Sequence, residues 1–265
     1  MTGEADVTAP AGPSPTGADE PLSITVLGCS GTYAAPGGAC SGYLVRGRGT
    51  TIWVDTGPGT LANLQQHVRF ADVDAVVISH CHPDHWVELP VLRNVFKYVQ
   101  HRDHVPVHGT AETLAMAEAA THDGLAPTFD WQLITDHGSA SIGGLALSFS
   151  RTDHPVETLA VRVEDPATGA ALVYSADTGP AWSVSSFGGD VDLFVCEATL
   201  TSDEEGLAPH LSARQAGAMA AAAGVRRLVL THHWPGGDVE GQRAAAAEAF
   251  GGPVELATVN ERFSL

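Results

Sequence analysis

Short apolar runs carrying β-branched residues recur along the chain. They are Ser23–Gly28, Gly42–Arg46, Thr51–Asp55, Asp74–Ser79, His104–His108, Phe129–Ile134, Leu145–Phe149, Thr158–Val163, Ala171–Ser175, Val191–Cys196, Arg227–Thr231 and Val254–Val259. Runs of this length and composition predict β-strands. Longer stretches with helical spacing lie between some of them: Leu61–Phe70, Val87–Val99, Ala111–Thr121, Ala213–Ala223 and Val239–Phe250. Hairpin-like strand pairs mixed with strand–helix units predict an α/β fold of layered, mixed sheets. Residues 1–20 are rich in Pro, Gly, Ala and Thr, carry acidic but no basic side chains, and read as a disordered acidic tail. Residues 21–265 read as a single domain, with no repeat at solenoid periods.

Composition narrows the setting. The 265 residues are 44% hydrophobic and 17% charged, which is the balance of a globular chain. The longest wholly apolar stretch, Ala216–Val225, is too short to cross a bilayer, which needs roughly 20 residues. No secretory signal is visible, and four cysteines in this length do not make a disulfide framework, so a reduced cytoplasmic location is expected. Thirteen Lys plus Arg face 31 Asp plus Glu, for a formal charge of −18, and Lys97 is the only lysine. A long nucleic acid needs a basic track that this chain has little to build, and an anionic membrane repels it. The expected partner is a small-molecule substrate, with a homodimer possible.

The thirteen histidines change the picture most, because several fall in tight patterns. Residues 79–85 read Ser-His-Cys-His-Pro-Asp-His and directly follow an apolar strand. Imidazole and carboxylate are what a divalent transition metal takes in a catalytic site. Four such groups, His80, His82, Asp84 and His85, are too many for one metal with an open position and suit two neighbouring metals. Three further residues stand at strand-to-loop transitions and complete two coordination spheres: His154, Asp177, which can bridge, and His232. His233 beside it faces the other way in an extended backbone.

This ligand series resembles that of the metallo-β-lactamase-fold hydrolases. The Ile-Trp-Val-Asp-Thr-Gly around Asp55 looks like that family's first motif, in which the Asp supports the metal-binding turn. The resemblance implies a four-layer αβ/βα sandwich with two mixed sheets and the site at one edge. Val-Cys-Glu-Ala-Thr (195–199), Pro-His-Leu-Ser-Ala-Arg-Gln-Ala (209–216) and Thr-Val-Leu-Gly-Cys-Ser-Gly-Thr (25–32) resemble motifs of the ribonuclease Z-like phosphodiesterases. By that likeness Glu197 and His210 form a pair near the scissile phosphate, with Ser212 capping the helix that follows. The long Gly/Pro-rich arm of the tRNA-processing members is missing between Asp84 and His154. Ser-Gly-Tyr-Leu (41–44), His-Pro-x-Glu (154–157) and Ser-x-Asp-Thr-Gly (175–179) are closer to a compact bacterial branch proposed to hydrolyse cyclic nucleotides.

The resemblance therefore implies a dinuclear metal-dependent phosphodiesterase for a small phosphodiester, most naturally a 3′,5′-cyclic nucleotide. His80, His82 and His154 hold one ion, Asp84, His85 and His232 the other, and Asp177 bridges. Asp84, His210 and Glu197 are the catalytic candidates. An all-N/O donor set suits Zn²⁺, with Mn²⁺ or Fe²⁺ compatible. The rival readings are an acyl hydrolase of the same fold, acting on a thioester or lactone, and ribonuclease Z-type RNA 3′-end processing.

Other features read as structural. Gly28, Gly31, Gly37 and Gly38 match no phosphate-loop fingerprint and read as a turn beside the metal site. Cys29, Cys40, Cys81 and Cys196 read as packed thiols, and His101, His104 and His108 as scattered surface or rim histidines. Trp86, Phe96 and Tyr98 read as core or dimer contacts, with stacking on a base as the less expected role.

Overall fold

The computed structural model describes Gly17 and residues 20–265. The tail expected over residues 1–20 otherwise lies outside the described residues. Glu20 itself is buried, 3.2 Å from Arg46 and 3.0 Å from Arg262.

Among the described residues, fourteen strands form two seven-stranded sheets. The first contains β1 (Ser23–Gly28), β2 (Gly42–Gly47), β3 (Thr50–Val54), β4 (Ala75–Val77), β5 (Val105–Gly109) and β6 (Phe129–Leu133), with β14 (Arg262–Ser264) joining beside β1. The second runs from β7 (Ser139–Ile142) through β8 (Leu145–Arg151), β9 (Leu159–Glu164), β10 (Ala171–Tyr174), β11 (Leu193–Glu197) and β12 (Arg227–Thr231) to β13 (Val254–Leu256). Each sheet is antiparallel over its first four strands and parallel over its last three pairings. Helices α1 (Thr60–Leu64), α2 (Pro83–Trp86), α3 (Leu89–Val95) and α4 (Ala111–Ala120) accompany the first sheet, and α5 (Ala213–Ala222) and α6 (Val239–Phe250) the second. This is the layered α/β fold that the strand and helix patterns predict, in the four-layer form that the family resemblance implies.

The strand runs are nearly continuous apolar stretches because both faces of the central strands are covered. Along β3 and β4, Ile52, Val54, Ala75 and Val77 enter the core between the sheets, while Trp53 and Val76 enter the core under α1, α3 and α4. In β11, Leu193 and Val195 face the first sheet, and Phe194 and Cys196 pack under α5 and α6. No helix among the described residues is long and apolar enough to cross a membrane.

Several elements differ from expectation. The strand expected over Asp74–Ser79 is only Ala75–Val77, because Asp55 captures the backbone of Ser79. The helix expected over Leu61–Phe70 stops at Leu64 and resumes as one 3₁₀ turn at Phe70–Asp72. The expected Val87–Val99 helix is α3 followed by a π-turn, Phe96–Gln100, which ends where His101 turns left-handed (φ 49°). Two strands go unpredicted. Ser-Ala-Ser-Ile of β7 is half polar, but it pairs with β8 across Gly143-Gly144, with Ile142 opposite Leu145; a two-residue glycine hairpin is a signal the sequence did offer. Arg-Phe-Ser of β14 has one apolar residue and carries no such signal.

Candidate metal centre

The chemistry-bearing residues sit where the C-terminal ends of β3 and β4 meet those of β8, β10, β11 and β12. Asp55 leaves β3 with a left-handed φ of 56°. His80 and His82 follow β4, and Pro83 starts α2 and turns Asp84 and His85 back toward them. His154, Asp177 and His232 follow β8, β10 and β12 in the second sheet. All seven candidate ligands come together. The donor atoms of His80, His82, His154 and Asp177 lie within 4.8 Å of one another, as do those of Asp84, His85 and His232. Asp177 faces both groups. Its Oδ2 is 3.5 Å from His80 Nε2 and 3.9 Å from His154 Nε2, and its Oδ1 is 3.3 Å from His85 Nε2 and 3.4 Å from His232 Nε2.

Hydrogen bonds on the outer side of the cluster fix the imidazoles. His85 Nδ1–H donates to Asp55 Oδ2 (2.7 Å). The Ser79 hydroxyl donates to Asp55 (2.8 Å) and so accepts from His80 Nδ1–H (3.0 Å). The Thr199 hydroxyl donates to Glu197 Oε2 (2.7 Å) and so accepts from His232 Nδ1–H (2.8 Å). The Pro209 carbonyl accepts from His154 Nδ1–H (3.2 Å). With each Nδ1 turned outward to its partner, the Nε2 atoms of all four rings converge on the carboxylates. His82 presents Nδ1, 3.1 Å from His154 Nε2.

This inward set is incomplete without a cation. His80 Nε2 and Asp177 Oδ1 are buried with no hydrogen-bond partner, and His85 and His232 bring their Nε2 atoms to 3.4 Å. Orphaned buried acceptors of this kind are costly unless something positive lies between them. Burial, seconded by nearby His85, pushes the His80 imidazole down to about 4, and burial lowers His82 and His154. His85 goes the other way: burial opposes its charge, but Asp177 and Asp55 hold it well above the ordinary value. Burial would raise Asp84 and Asp177, yet the surrounding histidines keep both carboxyls below the usual range. Carboxylates that hold their charge, imidazoles kept neutral at His80, His82 and His154, and an inward His85 that draws in a proton make a set that calls for positive charge and fits divalent cations.

A second layer of contacts supports the first. Asp55, fully buried, accepts from Ser79 N–H (2.8 Å), the Ser79 hydroxyl, His85 and the Tyr174 hydroxyl (3.0 Å). Glu197 accepts from His210 Nδ1–H (2.8 Å) and Thr178 N–H (2.7 Å) at one oxygen and from Thr199 at the other. Burial opposes protonation of His210, but the Glu197 hydrogen bond and charge raise it to about 9. His210 also falls within 4.8 Å of Asp177 and His232 donors. His210 is held by Glu197 and belongs to neither of the two donor groups that Asp177 faces, which separates it from the other five histidines. Ser212 caps α5 by accepting from Gln215 N–H, so His210 lies just before that helix, as expected.

Thr199, Ser79 and Tyr174 are the site residues that sequence reasoning missed. Thr199 closes the Glu-Ala-Thr triplet and Ser79 opens the histidine turn, so both had a positional signal. Tyr174 reads as an ordinary core residue of β10. His233 turns away, its Nε2 donating to the Leu230 carbonyl (3.2 Å). The glycine turn does flank the site: Gly31 N–H donates to His233 O (2.9 Å), and a Cβ at Gly31 would stand 3.0 Å from the His232 ring. Cys81 packs beside Glu112 at 3.8 Å, and Cys40 and Cys196 are buried, but Cys29 is only partly so. His101 and His104 are exposed, His104 beside Asp130 at 3.1 Å; His108, expected at the surface or rim, is instead buried in β5. Trp86 and Phe96 are core residues, while Tyr98 is exposed.

Comparison with known proteins agrees with this architecture. The model of the beta-lactamase superfamily domain matches residues 50–233. An uncharacterized protein of Mycobacterium tuberculosis is 36% identical over 254 residues, covering 92% of each chain. The probable metallo-hydrolase YhfI of Bacillus subtilis is 31% identical over 245 residues, covering 89% of this chain and 97% of its own. The YhfI crystal structure matches with a TM-score of 0.84 at 28% identity, over 93% of this chain and 100% of that one. Ribonuclease Z of Mycobacterium marinum is 32% identical over 268 residues, covering 89% of this chain and 95% of its own. With a matched domain spanning most of both sheets and relatives aligned almost end to end, the chain belongs to the beta-lactamase superfamily.

Proposed function

We propose that the protein is a dinuclear metal-dependent phosphodiesterase acting on a compact phosphodiester, with a 3′,5′-cyclic nucleotide as the foremost substrate. The observation that carries this reading is Asp177, whose two oxygens face two separate groups of histidine nitrogens. His80, His82 and His154 would hold one ion, Asp84, His85 and His232 the second, and Asp177 would bridge. Zn²⁺ suits these donors, with Mn²⁺ and Fe²⁺ as alternatives. The chemistry such ions supply when bound is Lewis acidity, which offsets phosphate charge and lets water ionise near neutral pH.

The chain's own residues supply the remainder. Asp84 is held toward the centre by Thr32 N–H (2.8 Å) and is the carboxylate placed to take a proton from the attacking water. His210, kept cationic by Glu197, balances charge on the phosphoryl oxygens or protonates the leaving alkoxide from its free Nε2. Asp55 holds His85 and the Ser79–His80 step in place.

The names of two relatives, a probable metallo-hydrolase and a ribonuclease Z, favour hydrolysis and leave the substrate to be decided. Residues 86–153 are occupied by short helices and strands of the two layers, with no extended arm to grip a tRNA. The net charge of −18 also disfavours a long polyanion.

The test is a metal-reconstituted activity screen over cyclic mononucleotides, cyclic dinucleotides, precursor tRNA, bis(p-nitrophenyl) phosphate and acyl thioesters. Turnover is expected for the compact phosphodiesters, with little for precursor tRNA. Turnover confined to thioesters would replace this reading with the acyl hydrolase. Efficient, salt-sensitive 3′-end cleavage of precursor tRNA would replace it with RNA processing.

A further inference from the structure

Two of the exposed aromatic side chains stand on backbone segments that border the candidate centre. Tyr33 is 53% exposed and Trp234 is 41% exposed. Their backbone segments are joined to each other. Ser30 and His233 form a parallel bridge, Gly31 N–H donates to His233 O (2.9 Å), and His233 N–H donates to Cys29 O (3.0 Å). Both segments also touch the centre. Thr32, next to Tyr33, donates its N–H to Asp84 (2.8 Å), and Trp234 stands two residues after His232. Each ring is thus tied by one or two residues to a candidate ligand.

The charges nearby sharpen the point. Among the described residues, no lysine or arginine makes an ion pair or hydrogen bond with any of the site residues. Within the network of site residues, the cationic side chain offered to a phosphodiester is thus His210 rather than a lysine or arginine. The part of the substrate away from phosphorus can be held by apolar contact instead of charge. Aromatic faces stack on flat, weakly hydrated rings, and a stacked base contributes usefully because every base has a π-face.

We propose that Tyr33 and Trp234 form a stacking subsite for the nucleobase of the substrate. The proposal rests on the phosphodiesterase reading and names the half of the substrate that the centre does not hold. Trp86 and Phe96 are buried, as expected of core contacts, and present no open face to a base; Tyr98 is exposed on the π-turn after α3. Stacking without hydrogen-bond readout predicts that adenine and guanine substrates are treated alike and that substrates without a ring are bound weakly.

The experiment measures the binding of adenosine 5′-monophosphate and of ribose 5-phosphate to Zn²⁺-reconstituted protein by calorimetry. The proteins are the parent chain, Tyr33→Ala, Trp234→Ala, Trp234→Phe and the double alanine variant, with circular dichroism to check folding. The parent is expected to bind the nucleotide about tenfold more tightly than the sugar phosphate. Each alanine variant should weaken nucleotide binding by about five- to tenfold and move the sugar phosphate less than about twofold, and Trp234→Phe should keep most of the preference. Equal affinity of the parent for both probes, or an unchanged preference in a folded double variant, overturns the subsite. If that happens in a protein that still turns over bis(p-nitrophenyl) phosphate, the subsite fails alone. If neither probe binds and no phosphodiester is turned over, the phosphodiesterase reading fails with it.

Discussion

Asp177→Ala is expected to lose at least one of two bound divalent ions and, with it, measurable phosphodiester turnover. The side chain is 2% exposed and its two oxygens face four imidazoles. Removing one member of a buried charge arrangement costs about 3–5 kcal/mol, or roughly 10²–10⁴-fold in affinity for the ion it helps to hold. The parent chain should carry close to two ions by elemental analysis after dialysis. Asp177→Asn separates charge from shape, since it keeps the volume and a single acceptor, and should fall between parent and alanine. The alanine variant should remain folded, because the cores on both sides of the sheets are untouched. Two ions retained in the folded alanine variant would remove Asp177 from the bridging role and with it the case for two linked ions.

His210→Ala should lower the phosphodiesterase rate by roughly 10²–10⁴-fold, the worth of a positioned proton donor or charge stabiliser. Metal content should not change, because Glu197 holds the ring and His210 belongs to neither of the two donor groups that Asp177 faces. This pairing of outcomes distinguishes the residue from its neighbours. A loss of ions alongside the rate would make His210 a ligand, as its closeness to Asp177 and His232 permits. A full rate would dissolve the Glu197–His210 assignment and favour a less specialised metallohydrolase.

Much of this site was legible because its residues cluster in sequence or end strongly apolar strands. His80, His82, Asp84 and His85 fall within six positions, and the runs before Asp177 and His232 announce themselves as buried strands. The same logic located the central strands, which read as nearly continuous apolar runs, while their four-layer arrangement was implied by the family resemblance. What stayed hidden depends on contacts far apart in the chain. The Tyr174 hydroxyl reaches Asp55 over 119 positions, and nothing in Ala-Leu-Val-Tyr distinguishes it from packing. The Thr199 hydroxyl sets the tautomer of His232, 33 residues away, through a hydrogen bond with no sequence periodicity. The break of the helix after α3 into a π-turn is equally local and unsignalled, because Phe-Lys-Tyr-Val-Gln has ordinary helical composition.

The division of the centre between the two sheets has a mechanical meaning. His80, His82, Asp84 and His85 descend from the first sheet, and His154, Asp177 and His232 from the second. Any ion held by both sets is a rivet through the sandwich, and it binds only when the two layers are docked. Linkage then makes the metal a stabiliser of the layer interface, worth about 2.7 kcal/mol at a free concentration a hundredfold above its dissociation constant. Stripping the ions with a chelator should lower the melting midpoint by roughly 5–10 °C for a chain of this size. A melting curve indifferent to chelator would mean that the two layers are fastened by their apolar faces alone. If the midpoint does fall, starving the protein of metal does more than silence a reaction: it lets the two halves of the molecule begin to come apart at the seam where the reaction would have taken place.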